Sequence, residues 1–213
     1  MLTEPERRAV AVVNELVRLY VYRLPVDVAA ICRHCGARLV PASQLEREGM
    51  ERSAIFAVWG NPDGVAMSSS THWTISYNDR AAANRVRFTL AEELMHLLLG
   101  HTEDARFRLG VQSYDEAVYR QYESEAKHAA SMLLVPPPVY FRCRALYTPA
   151  SVARACRVSE ACLRIAGRWY EENEDELLRL FTAKSIPLDR SGLTRVRPLR
   201  PVAADGGRSP AAL

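Results

Sequence analysis

Apolar residues recur at helical spacing across residues 4–22, at Val10, Val13, Leu16, Val17 and Tyr20, and that period predicts a first helix. Pro25 opens a second helical stretch, with Asp27 in its first turn and Gly36 at its end. Three short apolar runs follow. "ARLVPA" (37–42) reads as a strand, "SAIFAVWG" (53–60) as a second strand closed by the turn "NPDG", and "HWTISYN" (72–78) as a third that alternates apolar and polar side chains. Residues 81–100 predict a long helix with a strongly apolar face, stopped by Gly100. Residues 113–135 predict another, which ends before Pro136 to Pro138 because no helix continues through three prolines. Residues 148–170 read as two short helices about a tight turn at Val158-Ser159, with Ser159 capping the second, and an acidic helix (171–181) follows. Two helices, then three short strands, then helices to the end give an α+β expectation.

Composition narrows the class. The chain has 213 residues, 48% of them hydrophobic and 25% charged, which suits one globular domain with a small appendage. A net charge of +3 is too small to argue for nucleic acid by itself. No apolar run approaches the roughly 18 residues that cross a bilayer, and the N-terminal segment lacks signal-peptide order, so a cytoplasmic protein is expected. Five cysteines without framework spacing fit a reducing compartment. "CRHCG" (32–36) has no second Cys or His pair to complete a zinc ribbon and reads as the capped end of a helix. From Lys184 onward periodicity stops. That tail holds four prolines, three glycines and six basic residues against two acidic ones, and it is expected to be disordered.

The candidate chemistry lies in "RFTLAEELMHLLLGH" (87–101). Glu92 and His96 are four apart and share one helix face, so both can reach one metal ion. Glu93 is turned by about 100° and can flank that ion as a general base. A catalytic zinc takes three protein ligands and keeps one open position, so a third must come from elsewhere. The helix over 113–135 offers Glu123 and Glu125, with His128 three residues further on. Taken alone, E-E-x-x-H is not a ligand signature and reads as an ordinary helix.

The motifs in combination say more. "TISYN" (74–78), then "RFTLAEELMHLLLGH", then "ESEAKHAASMLLVP" (123–136) resemble, in order and spacing, the ImmA/IrrE family of metallopeptidases. The resemblance covers about residues 10–165 and implies a zincin-like metallopeptidase domain with an active-site helix and a small twisted sheet. By position, His96 and Glu123 match metal ligands and Glu93 matches the general base. Glu92 stands where the family has its first His ligand; Glu125 is the other candidate for the third ligand. Lys127 and Ala129 replace the usual Asn and Phe and read as changes in helix packing. His101 matches a frequent histidine but falls on the wrong side of the helix unless the helix unwinds at Gly100. The implied cofactor is Zn2+; a Glu92-His96-Glu123 set takes the site from +1 to zero, so Mn2+ or another oxygen-preferring ion also suits it.

The resemblance also implies a division into a peptidase domain (1–140), a helix-turn-helix-like extension (141–183) and the basic tail (184–213). Its implied substrate is a helix-turn-helix transcriptional repressor, cut to derepress mobile-element or stress-response genes. The alternative is a catalytically impaired pseudo-peptidase that regulates a repressor by binding. A DNA contact through residues 150–170 is a further expectation.

Overall fold

The computed structural model describes residues 1–19, 23–107, 112–183 and 186–196. Helix α1 (Glu4–Leu19) buries Ala9, Val10, Val13 and Leu16, the spacing its sequence predicts. Helix α2 (Val28–His34) begins where the Asp27 carboxylate accepts the Ala30 N–H at 3.0 Å. Gly36, at φ +84°, turns the chain from that helix into the first strand. Strand β1 (Ala37–Pro41) leads to α3 (Ala42–Arg47) and α4 (Arg52–Trp59); β2 (Gly64–Ser68) and β3 (Trp73–Tyr77) complete the sheet. The order is β1-β3-β2, with β1 parallel and β2 antiparallel to β3.

The expected strand over 53–60 is instead helix α4. Ile55 and Trp59, four apart, point inward with Ala42, while Val58 is 84% exposed. That is a helical period over two turns, and eight residues are too few for the sequence to separate it from a buried strand. Gly60 closes α4 in the left-handed region and donates its N–H to Phe56 O. The strand that fills this place in the sheet is β2, which lies just beyond the predicted turn and carries no clear alternation in burial.

Helix α5 (Ala83–Leu98) is the centre of the molecule, with every residue from Thr89 to Leu97 buried. The sheet covers one side of it and α6 (Glu116–Leu134) the other. Ala126, Ala129 and Ala130 of α6 are fully buried, and their small side chains allow the two helices to approach closely. Pro136 ends α6, as predicted; Pro137 and Pro138 then open α7 (Pro137–Arg144), because the first helical turn does not need their missing N–H groups. Helices α8 (Pro149–Cys156), α9 (Glu160–Glu172) and α10 (Glu174–Leu180) follow.

Tyr170, Leu177 and Phe181 belong to the same buried cluster as α1, α5 and α6. The Tyr170 hydroxyl donates to Val135 O at 2.9 Å. Arg87 of α5 donates to Val26 O, Cys156 O and Arg157 O, which ties the α8–α9 turn to the active-site helix. Of the tail, residues 186–196 lie against the domain, with Ile186 buried and bridges joining Leu188 to Leu24 and Arg195 to Tyr147. The expectation of disorder over 197–213 falls outside the described residues.

Candidate active site

Helix α5 presents Glu92, Glu93 and His96, all under 10% exposed, and α6 presents Glu123 opposite them. His96 Nε2 and Glu123 Oε1 are 3.4 Å apart. Two ligands of one tetrahedral ion with bonds of about 2.0–2.2 Å are separated by about 3.3–3.6 Å, so this pair already has the spacing of two corners of a zinc site. Glu125 faces the other way. It accepts from Gln121 Nε2 at 2.7 Å and lies 3.3 Å from His101 Nε2. Glu123 is therefore the carboxylate beside His96 Nε2.

The position of His101 depends on Gly100. Helix α5 stops at Leu98, Gly100 adopts φ +77°, and a single 3-10 turn (His101–Glu103) brings the chain back. His101 Nδ1 thereby lies 3.1 Å from His96 Nδ1. Burial, with His96 and Arg8 adding to it, pushes the His101 imidazole down to about 3, so near neutral pH its ring carries one proton. With that proton on Nε2 and donated to Glu125, His101 Nδ1 accepts from His96 Nδ1–H. His96 Nε2 is then a bare acceptor aimed at a carboxylate oxygen, an arrangement that calls for a cation between them. Phe107 and Tyr122 stack on the two rings, with centroids 4.8 Å from His96 and 4.1 Å from His101, and hold their planes.

Glu93 is almost wholly enclosed. Burial, reinforced by Glu92 and opposed by a hydrogen bond from the Ala66 N–H of β2, raises its carboxyl to about 8. Glu92 is raised to about 7, again chiefly by burial, with Lys127 pulling the other way. Burial also acts to raise Glu123, but Lys127, joined by His96 whenever its ring is protonated, outweighs it and holds the carboxylate at about 2. The neighbours thus separate a carboxyl that keeps a proton near neutral pH, Glu93, from one that stays ionised, Glu123.

Lys127 was not expected here. Its Nζ is 2.7 Å from Glu123 Oε2 and 3.7 Å from Glu92 Oε1. The sequence reading that made position 127 a packing residue is corrected by this contact. The extended lysine stem spans the gap between α5 and α6, and its charge offsets the negative charge that Glu92 adds. Among the described residues no three His, Cys, Asp or Glu side chains close on a common point. Two of the expected ligands, His96 and Glu123, face each other, and Glu92 joins them through Lys127.

The site opens into a groove of about 860 Å³. Glu93, His96 and Glu123 line its floor together with Thr102, Phe107 and Tyr119, and its walls come from α4 and β2. Tyr119 was not singled out by the sequence; burial beside Glu123 raises its hydroxyl to about 12, which keeps it a hydrogen-bond donor in the groove. A separate cavity of about 390 Å³ between α7, α8 and α9 is lined by Tyr140, Arg144 and Arg164 and contains no histidine.

The buried carboxyls make stability depend on pH. Glu93 binds a proton in the folded state up to about pH 8 but releases it near 4.5 when unfolded, so it stabilises the fold at low pH and that contribution fades as pH rises. His101 works in the opposite sense, but only between about pH 3 and 6.5. The metal-free protein is therefore expected to lose on the order of 1–2 kcal/mol of stability between about pH 6.5 and 8. Urea melts across this range should show the decline, and Glu93→Gln should remove most of it, leaving the smaller part due to Glu92, itself raised to about 7; an unchanged slope in the variant would assign the decline to another group.

A buried carboxyl and an imidazole on one helix, with a second carboxylate on the neighbouring helix beneath a groove bounded by a sheet edge, define a zincin-like metallopeptidase fold. The chain matches the IrrE N-terminal-like domain, Peptidase_M78, over residues 55–164, just over half its length, and belongs to that family of ImmA/IrrE metallopeptidases. The matched region runs from α4 into α9 and includes Glu92, Glu93, His96 and Glu123. Comparison with curated proteins gives no match. The family implies a divalent metal ion, usually zinc. The His96–Glu123 pair fits such an ion, and no helix among the described residues is long and apolar enough to cross a membrane.

Proposed function

We propose that the protein is a metal-dependent endopeptidase whose substrate is a helix-turn-helix transcriptional repressor, cut to derepress mobile-element or stress-response genes. The observation that carries this reading is that Glu93, His96 and Glu123 line one groove, with His96 and Glu123 at ligand spacing. His96 and Glu123 would hold a zinc ion, or Mn2+ given the carboxylate-rich surroundings, with Glu92 as the nearest further donor. A divalent ion there would supply Lewis-acid polarisation of the scissile carbonyl.

The remaining steps belong to the chain. Glu93 in its ionised form, held by the Ala66 N–H, takes a proton from the attacking water and passes it to the leaving amine. The His101–Glu125 pair fixes the His96 ring through its far nitrogen. Strand β2 is an edge of the sheet and lines the groove, so an extended segment of substrate can pair with it as an added strand. Met50, Val58 and Met67 border the same groove and are 45%, 84% and 46% exposed, which favours apolar side chains next to the cut bond.

Incubating the metal-loaded protein with candidate helix-turn-helix repressors, followed by mass spectrometry of the fragments, tests this reading. One defined cut that chelators stop is the expected result. Tight binding of a repressor with no cut would instead select the pseudo-peptidase alternative. A DNA contact through residues 150–170 is the weaker proposal, since Glu160, Glu171 and Glu172 share α9 with Arg164 and Arg168 and reduce its field. Localisation to the cytoplasm follows from this role in transcription and is part of the same proposal.

A further inference from the structure

Two residues of opposite charge, Glu92 on α5 and Lys127 on α6, meet in the site; the resemblance drawn from the sequence has an uncharged type, histidine and asparagine, at each place. The ammonium of Lys127 lies 3.7 Å from Glu92 Oε1 and 2.7 Å from Glu123 Oε2. Glu123 is thus divided: Oε1 faces His96 Nε2, and Oε2 is held by Lys127. Counting side-chain atoms alone, Glu92 is 10% exposed, Glu123 19% and Lys127 50%. The carboxylates are part of the interior, and the lysine reaches them from solvent along its own stem.

We propose that Lys127 is a built-in cation that neutralises the extra carboxylate at position 92 and competes with a divalent ion for Glu92 and Glu123. This rests on the reading of the site as a metal site and adds how its affinity is set. A divalent ion between His96 and Glu123 meets a like charge one carboxylate away. To recruit Glu92 it must displace the ammonium from that side chain. Since the lysine is half exposed, it can swing into water, so the lock is reversible. Without the lysine, Glu92 keeps the pull of Arg85 but the cation that bridges it to Glu123 is gone, and a divalent ion becomes the natural partner of both carboxylates. Screening by water limits the effect of a half-exposed ammonium, which places the expected gain on its removal at about tenfold in metal affinity.

Cobalt and zinc titrations of the metal-free full-length protein, read by cobalt absorption and by calorimetry, test the assignment. Lys127→Met keeps the apolar stem and removes the charge; it should bind Co2+ and Zn2+ about tenfold more tightly or better. Lys127→Arg keeps the charge and should stay within threefold of the wild type. In metal-free form Lys127→Met should melt below the wild type, and zinc should raise its melting temperature more. If that variant does not fold, Lys127→Gln serves the same purpose. Placed in a Glu92→Gln background, the same lysine change should give a smaller gain, because one of its two partners is gone. Equal affinities in wild type and Lys127→Met, or an equal gain in Lys127→Arg, would overturn the proposal, as would no metal uptake by any variant. Cleavage of a repressor with no dependence of metal affinity on Lys127 would overturn this inference alone. Lysine-dependent metal binding without cleavage would leave it standing and remove the peptidase reading.

Discussion

Glu93→Gln is expected to abolish peptide cleavage, with a fall of about 10³-fold or more, while fold and metal content stay those of the wild type. The amide has nearly the same shape, and its oxygen can still accept the Ala66 N–H that positions Glu93. What it loses is the ability to take a proton from water and return it to the leaving amine. Glu93 is suited to that exchange because burial lifts its carboxyl to about 8, close to working pH, while Glu123 beside it stays ionised. Single-turnover cleavage followed by mass spectrometry, with metal content and circular dichroism measured on the same sample, checks the prediction. A variant that keeps more than a tenth of the activity would remove Glu93 from the base role. Loss of the metal along with activity would mean that Glu93 supports the site structurally.

Gly64→Ala is expected to destabilise the protein by about 1–3 kcal/mol, which for a chain of this length is a drop of roughly 3–10 °C in melting temperature. A Cβ at position 64 would lie 2.7 Å from Thr89 Cγ2 and 2.8 Å from Ser76 O. The second of these is backbone on the neighbouring strand and has little freedom to move. Relief requires β2 to shift away from α5 and β3, and β2 is both a wall of the groove and the source of the Ala66 N–H that holds Glu93. Cleavage should therefore fall further than the loss of folded protein explains. Thermal melts and kinetics on the variant test both parts. Thr89→Ser in the same background should recover only part of the stability, because the contact with Ser76 O remains. A melting temperature within 1 °C of the wild type would show that the strand shifts freely.

Much of the helical frame was readable from the chain. Helices α5 and α6 declare themselves by long apolar periodicity, by Gly100 after the first and by Pro136 after the second. Of the short stretches, β1 and β3 were readable as strands, whereas α4 and β2 were not. In "SAIFAVWG" the same letters suit a buried strand or a two-turn helix, and the packing of Ile55 and Trp59 onto Ala42 decided for the helix. Strand β2 has too little alternation to announce itself, and its partner β3 recruits it.

The site divides along the same line. Helical geometry alone places Glu92, Glu93 and His96 on adjoining faces of one helix, since those relations are local and follow from 3.6 residues per turn. The pairing of Lys127 with Glu123, four apart on α6, is equally local. Three relations belong to the tertiary structure. The crossing of α5 and α6 chose Glu123 over Glu125 for the His96 ring. The reversal at Gly100 brought His101 to the far nitrogen of that ring. The approach of the two helices through buried alanines let Lys127 reach Glu92, so that a residue read as packing became a charge in the site. Side chains far apart in sequence meet only when the core closes, and no local periodicity encodes the distance between them.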